Sequence, residues 1–260
     1  MQRVNESSSS QMPNLQDSTA IVTGAAGSLG RPIALGLRDR GCRVIALDRD
    51  AAALAALASQ AAIDVATCDL LDPATAERCF ADVWARHGPI SILINAVGLI
   101  HSSLLVNIVA RQDRKHSIES WRRVIDINLT AVFTATVNVV DRMIAARTRG
   151  VVVNFSSIAA AGNAGQGAYS AAKAGVNAMT SAWAKELGTL GIRFVAIAPG
   201  FIDTASTRVA LQEPIREDWI KRTPLRRLGS VEDVVSAVMF AVTNEHLTGK
   251  VIEIDGGLAI

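Results

Sequence analysis

Residues 19–30 read Thr19-Ala20-Ile21-Val22-Thr23-Gly24-Ala25-Ala26-Gly27-Ser28-Leu29-Gly30. A short β-branched run passes directly into a glycine-rich turn, and residues 29–40 follow with apolar side chains at helical spacing. Glycine lets a chain turn tightly, and it lets a phosphate approach backbone N–H groups at the positive end of the following helix. A purely structural turn would explain the glycines equally well. What tips the balance is Asp48, 24 residues after Gly24 at the end of the next apolar run, where a carboxylate can accept the hydroxyls of an adenosine ribose.

Working outward, the same alternation continues to the C-terminus. Residues 19–23, 43–47, 64–68, 91–95, 151–155, 193–198 and 251–254 are predicted strands, each apolar enough to be buried on both faces. Residues 29–40, 51–60, 73–87, 117–147, 168–190 and 231–242 carry helical periodicity. Asp72-Pro73 reads as an N-cap with a first-turn proline, and Gly41, Gly88, Gly150 and Gly191 stand where C-caps belong. The expectation is an α/β fold, a doubly wound seven-stranded parallel sheet with helices on both faces, forming a single domain over residues 15–260. Two connections, residues 99–116 and 201–229, are too long for ordinary α/β turns, and both follow strand carboxyl ends. They are candidate substrate loops, or else tolerated surface insertions.

Composition narrows the function classes. The chain has 260 residues, with Lys+Arg 26 against Asp+Glu 24 and half its residues hydrophobic, so it can bury a large core. Near-neutral charge offers no electrostatic case for a nucleic-acid partner. The longest unbroken apolar runs fall short of a membrane span, and Asn95 interrupts the one around residues 90–100. Residues 1–13, MQRVNESSSSQMP, have no apolar signal region, so residues 1–14 are expected to be a disordered tail on a cytoplasmic protein. Cys42, Cys68 and Cys79 read as reduced core thiols, and His87, His101, His116 and His246 show no metal-binding spacing, so no metal is expected.

Polar or small residues recur at successive strand ends: Asp48, Asp69, and Asn95 through Gly98. Together they outline a binding groove along one edge of the sheet. Further on, Asn154-Phe155-Ser156-Ser157 ends the fifth strand, and Tyr169, the only tyrosine, lies four residues before Lys173 on one helical face. A phenol with an unperturbed pKa of ~10 is a poor base, but a nearby ammonium is expected to lower that value, making the pair an acid/base unit. Alone, such a pair is an ordinary surface feature; the strand-end serines upstream change that reading.

These motifs resemble those of the short-chain dehydrogenase/reductase family, across essentially residues 17–257. The resemblance rests on the glycine turn at Thr23, the acidic end of strand two, Asn95-Ala96-Val97-Gly98, Asn128 within Asp126-Ile127-Asn128-Leu129, the serines before Tyr169 and Lys173, Pro199 through Thr204, and Asp255-Gly256-Gly257. It implies hydride exchange between a nicotinamide and a secondary alcohol or ketone carbon. Tyr169 would be the acid/base, with Lys173 tuning it and binding the nicotinamide ribose, a serine polarising the carbonyl, and Asn128 holding a relay water. Ser157 matches by its neighbours and Ser156 by the commonest spacing; Ser157 is the choice. The resemblance assigns the dinucleotide to Gly24, Gly27, Ser28, Leu29, Gly30, Asp48, Asp69, Leu70, Asn95, Gly98, Tyr169, Lys173, Pro199, Gly200, Ile202 and Thr204, with Ile202 and Thr204 at the carboxamide and Asp69 and Leu70 flanking the adenine. Ser28 stands where the family usually has its middle glycine, and Ser28 is positioned to donate to phosphate itself.

Asp48 predicts NAD rather than NADP. Within the family the pattern is most similar to 3-oxoacyl-carrier-protein reductases, so a β-ketoacyl thioester is the alternative substrate to a simpler alcohol or ketone. A non-catalytic dinucleotide sensor or scaffold is the alternative of another class, opposed by the intact Asn128, Ser157, Tyr169 and Lys173 set. A homo-oligomer, a dimer of dimers, is implied by the resemblance, with helices 117–147 and 168–190 pairing across an interface. The partner expected besides other copies is a small-molecule substrate.

Overall fold

A computed structural model describes residues 15–210 and 213–260. The predicted tail at residues 1–14 lies outside the described residues. Seven parallel strands form one sheet in the order β3-β2-β1-β4-β5-β6-β7. They are β1 (Thr19–Thr23), β2 (Arg43–Asp48), β3 (Asp64–Thr67), β4 (Ile92–Asn95), β5 (Gly150–Phe155), β6 (Ile192–Pro199) and β7 (Lys250–Ile254). The chain runs from β1 outward to β3, then returns to β4 on the other side of β1, so the two windings part between β1 and β4. A crevice opens at such a switch point, beyond the strand carboxyl ends.

One face of the sheet packs against α1 (Gly30–Arg38), α2 (Ala51–Gln60) and α9 (Val231–Thr243), where Ile33, Leu37, Leu54 and Val238 are buried with Val22 and Val153. The other face packs against α3 (Pro73–His87), α5 (Ala131–Ala145) and α6 (Gly167–Leu187), through Phe80, Val139 and Ala184 on Ile21, Leu93 and Phe194. Alternate strand residues supply the two layers, as the pleat requires. Asp72 caps α3 as expected, accepting from Ala74 N and Thr75 N.

Several expectations need correction. β3 and β7 are edge strands, and β7 in particular is largely exposed, because each has a neighbour on one side only. Gly150 is not a C-cap. Arg147, at φ 53°, turns the chain after α5, while a Cβ on Gly150 would stand 2.2 Å from the Ser91 carbonyl oxygen, so glycine there permits close backbone approach. Residues 117–147 are not one uniform α-helix: α4 (Ile118–Ile125) passes through a π-helical turn, Asp126–Thr130, into α5. The long connection 201–229 contains α7 (Ala205–Ala210) and α8 (Ile215–Arg222), with Trp219 of α8 packed 4.3 Å from the Phe201 ring centroid.

The Ile118–Ala145 helical run is long and apolar enough to cross a membrane by length and composition, with a mean hydropathy of 1.3 over its most apolar window. Half of that window is buried inside the protein, where Ala135, Val139 and Met143 pack with Ile21, Leu93 and Phe194 of the sheet. Core packing thus accounts for its apolarity.

Candidate active site

The crevice beyond β1 and β4 is a cleft of about 250 Å³, with Gly24, Gly27, Asp48, Asp69, Leu70 and Gly98 among its lining residues. Gly24 adopts φ +65°, and a Cβ there would stand 2.8 Å from the Val97 backbone. Gly30 opens α1, where a Cβ would meet the Gly24 carbonyl oxygen at 2.1 Å, so these two glycines press the turn against the sheet and the helix start. Gly27 and Ser28 are exposed at the crest of the turn, with Leu29 half-buried behind them. The exposed backbone at the head of α1 fits an anionic diphosphate.

Asp48 lies on the far wall. Its Oδ2 accepts from Ala26 N at 3.0 Å and its Oδ1 from Asp50 N at 3.1 Å, which fixes the carboxylate while leaving each oxygen a lone pair for a ribose hydroxyl. Arg49 and Arg123 also line this cleft. Asp69 accepts from Leu71 N at 3.0 Å, and Leu70 is buried beside it. The residues present therefore suit a dinucleotide: small residues at the diphosphate end, an acceptor at the ribose, and an apolar wall for the base.

Asn95 is placed differently from the expectation. It is fully buried, and its Nδ2 donates to Thr136 Oγ1 and Asn154 Oδ1, both at 2.9 Å. Asn154 in turn donates to Thr180 Oγ1 at 2.9 Å. This polar ladder ties β4 and β5 to α5 and α6, so Asn95 shapes the cleft from the core rather than lining it.

Gly98, Asn128 and Lys173 converge at the inner end. A Cβ on Gly98 would stand 3.2 Å from Asn128 Oδ1 and 3.6 Å from Lys173 Nζ. The π-helical turn carries Asn128, whose Oδ1 accepts from Leu99 N at 3.1 Å while its Nδ2 donates to the Leu99 and Val124 carbonyls at 2.9 and 3.0 Å. The amide thus anchors the start of the 99–116 loop. On α6, Lys173 donates to the Phe155 carbonyl at 2.7 Å, and its Nζ lies 5.7 Å from the Tyr169 ring centroid.

The two serines are separated by their partners. Ser157 accepts from Ala159 N at 3.1 Å, and its hydroxyl is near enough to Tyr169 to act on the phenol. Ser156 is buried and donates to the Lys173 carbonyl at 3.3 Å. On electrostatics the outcome differs from the expectation that the ammonium lowers the phenol. Burial pushes the Tyr169 hydroxyl upward, the Ser157 hydroxyl opposing it, because the low-dielectric surroundings penalise a phenolate. Burial likewise pulls Lys173 down to about 8. Tyr169 is thus held protonated at neutral pH, the form that can donate a proton to a carbonyl oxygen.

Beyond β6, Gly200 N donates to the Ile254 carbonyl at 2.9 Å, and a Cβ on Gly200 would stand 2.9 Å from Asp255 Cα. Pro199 and Gly200 therefore bring β6 close to β7. Ile202 is buried and bridges to Gly229, and Thr204 N donates to the Ile202 carbonyl at 2.9 Å. A second cavity, about 340 Å³, is lined by Gly167 and Ala168 at the start of α6 together with His116, Ile118, Trp121 and Asn163. His116 and Trp121 carried no signal in the linear pattern, since they converge only when the 99–116 loop folds back. Among the described residues no group of three or more His, Cys, Asp or Glu could hold a metal ion.

Comparison with known proteins agrees with this geometry. The family profile described as enoyl-(acyl carrier protein) reductase matches residues 24–259. A 3-oxoacyl-(acyl-carrier-protein) reductase of Thermotoga maritima is 37% identical over 254 residues, covering 95% of this chain and 99% of that protein. A short-chain type dehydrogenase/reductase from Mycobacterium ulcerans superposes with TM-score 0.86 at 29% identity, covering 94% of this chain and 90% of the other. A gluconate 5-dehydrogenase from Burkholderia cenocepacia, solved with NADP and tartrate, gives TM-score 0.86 at 27% identity, covering 94% and 96%. With its glycine turn, its nucleotide cleft and a serine, tyrosine and lysine gathered at the inner end, the chain belongs to the short-chain dehydrogenase/reductase family, oxidoreductases that use a nicotinamide dinucleotide on alcohol and keto carbons.

Proposed function

We propose that the protein is an NAD(H)-preferring oxidoreductase of secondary alcohols and ketones, with Tyr169 as the group that gives and takes the proton. The observation that carries this is a buried Tyr169 one helical turn from Lys173, whose ammonium is bonded to the Phe155 carbonyl at the strand end that leads into Ser156 and Ser157. A bound nicotinamide dinucleotide supplies or accepts the hydride. In reduction the Tyr169 hydroxyl donates to the substrate oxygen, and Ser157 holds the same oxygen in place. Lys173, anchored on the Phe155 carbonyl, presents its ammonium near the phenol and favours the charge that forms when the proton leaves. Asn128 holds the loop start through Leu99 and keeps Gly98 against Lys173. Nicotinamide absorbance during incubation with secondary alcohols and ketones tests the reading; no turnover with either NAD(H) or NADP(H) would overturn it.

Preference for NAD(H) rests on Asp48, whose carboxylate meets a 2′-phosphate as a like charge. Arg49 in the same cleft, and the NADP held by the Burkholderia relative, argue the other way, so the ratio of the two cofactors is the decisive measurement. Reduction of a 3-oxoacyl thioester is the second reading, favoured by the Thermotoga relative. Self-association is supported by Phe133, Val137 and Ile144, which leave α5 with exposed apolar side chains. Sedimentation of a monomer at all concentrations would remove that part.

A further inference from the structure

We infer that residues 105–116 form a docking finger for an anionic membrane surface, with Ile108 and Val109 at its tip entering the bilayer and Arg111, Arg114 and Lys115 meeting the headgroups. The finger is a built hairpin. His116 N donates to the Leu105 carbonyl at 3.0 Å, Val106 and Lys115 form an antiparallel bridge, and Asn107 N donates to the Arg114 carbonyl at 2.7 Å. Its tip is pinned as well. Asn107 Oδ1 accepts from Val109 N at 3.1 Å and from Ala110 N at 3.2 Å, and Arg114 Nε donates to the Asn107 carbonyl at 3.2 Å. Just before the hairpin, Ser103 N donates to the Gly165 carbonyl at 2.6 Å, which ties its base to the segment leading into α6. This frame holds two apolar side chains out in water: Ile108 is 80% exposed and Val109 86% exposed.

Two further observations choose the occupant. The first is the continuity of the apolar surface. Leu105 at the base of the hairpin is also largely exposed, and it shares a surface hollow with Ile118 and Trp121, both exposed. A contiguous apolar patch of this kind marks a surface that something covers. The second is charge. Residues 105–122 hold Arg111, Arg114, Lys115 and Arg122 against Asp113 and Glu119, a net charge of +2, and the formal charge of the whole chain is also +2. The rest of the sequence is therefore balanced, and the entire excess stands beside the apolar tip. Arg111 and Lys115 have no ion-pair partner among the described residues. Aliphatic side chains flanked by cations, with a tryptophan at their boundary, match the layers of a bilayer surface: acyl chains, anionic headgroups and the interface between them. A second copy of the chain fits less well, because a two-fold contact between fingers sets the same cations against one another. Docking of this kind is independent of which alcohol or ketone is turned over.

Co-sedimentation of the full chain with vesicles tests the inference, using phosphatidylcholine alone and phosphatidylcholine with about one third phosphatidylglycerol. At low salt the wild type is expected to partition onto the anionic vesicles at least about tenfold more strongly than onto the neutral ones. Ile108→Ser combined with Val109→Ser removes the apolar tip and should weaken that binding about tenfold or more. Arg111→Gln combined with Lys115→Gln should weaken it to a similar degree and flatten its dependence on salt. Ile108→Trp, bound to vesicles whose acyl chains carry bromine, should show fluorescence quenching beyond that of wild type. Absent binding to anionic vesicles, equal binding to both kinds, undiminished binding by either double variant, or an unquenched Trp at the tip would each overturn the inference. The first two of these use only the wild type and so decide the matter even if a variant does not fold. Wild-type dimers that ignore vesicles and dissociate in the tip variant would assign the finger to a second copy of the chain and overturn the membrane.

Discussion

Lys173 Nζ lies 2.7 Å from the Phe155 carbonyl oxygen, so the ammonium on α6 is bonded to the strand end that carries Ser156 and Ser157. This contact joins two elements whose mutual position decides the site. It also leaves an ammonium in a place where burial pulls its pKa from 10.5 to about 8. A displacement of that size corresponds to about 3 kcal/mol of unfavourable charge burial at neutral pH.

The first expected outcome follows from that penalty. Between about pH 8 and 10.5 the unfolded chain still holds the Lys173 proton after the folded chain has released it, so folding stability rises with pH across this window. Lys173→Met lacks the proton, and its stability relative to wild type should be greatest below about pH 8 and decline toward pH 10.5. Urea denaturation of both proteins without cofactor, at several pH values, measures the difference; a pH-independent difference would contradict it.

Tyr169→Phe should lower kcat by ~10² to 10⁴-fold, since the ring and its packing remain and only the transferable proton is lost. Dinucleotide affinity should change little. A variant retaining more than about a tenth of wild-type kcat would exclude Tyr169 as the acid/base.

The serines should differ in kind. Ser157→Ala removes the hydroxyl that opposes the upward push on Tyr169, so the rise of alcohol oxidation with pH should move to higher pH. Ser156 bonds a backbone carbonyl of α6, and Ser156→Ala should leave the position of that rise where it is. The pH profiles of kcat/KM for the two variants make the comparison.

Asp48→Ala should relax cofactor choice. At an effective dielectric of ~20 and ~4 Å, two unit charges cost ~4 kcal/mol, and half of that after screening is about thirtyfold. Wild-type kcat/KM should favour NAD(H) over NADP(H) by at least about tenfold, and the variant should lose most of that ratio. Equal use of both cofactors by wild type would place control with Arg49 or Arg123 instead.

Asn95→Ala separates shaping the cleft from lining it. Leaving Thr136 and Asn154 short of a donor should cost ~1 to 3 kcal/mol and lower Tm by several degrees. Dinucleotide binding at a temperature well below Tm should be little affected. A large loss of affinity at unchanged Tm would return Asn95 to direct contact.

Local chemistry made much of this protein legible in one dimension. The run from Thr19 into Gly24 and Gly30, the Asp72 cap and the alternation of apolar strands with periodic helices each depend on neighbours a few residues away, and the parallel sheet follows from them. The same is true of Tyr169 and Lys173, which one turn of helix places on one face. Only the tertiary structure decided which serine meets Tyr169, because that depends on how the end of β5 sits against α6. It also decided that burial pushes the phenol upward, that Asn95 serves the core, and that Gly150 is needed for contact with Ser91 rather than for a cap. Desolvation, close backbone approach and the pairing of buried polar atoms are sums over residues far apart in the chain, and no spacing in the sequence encodes them.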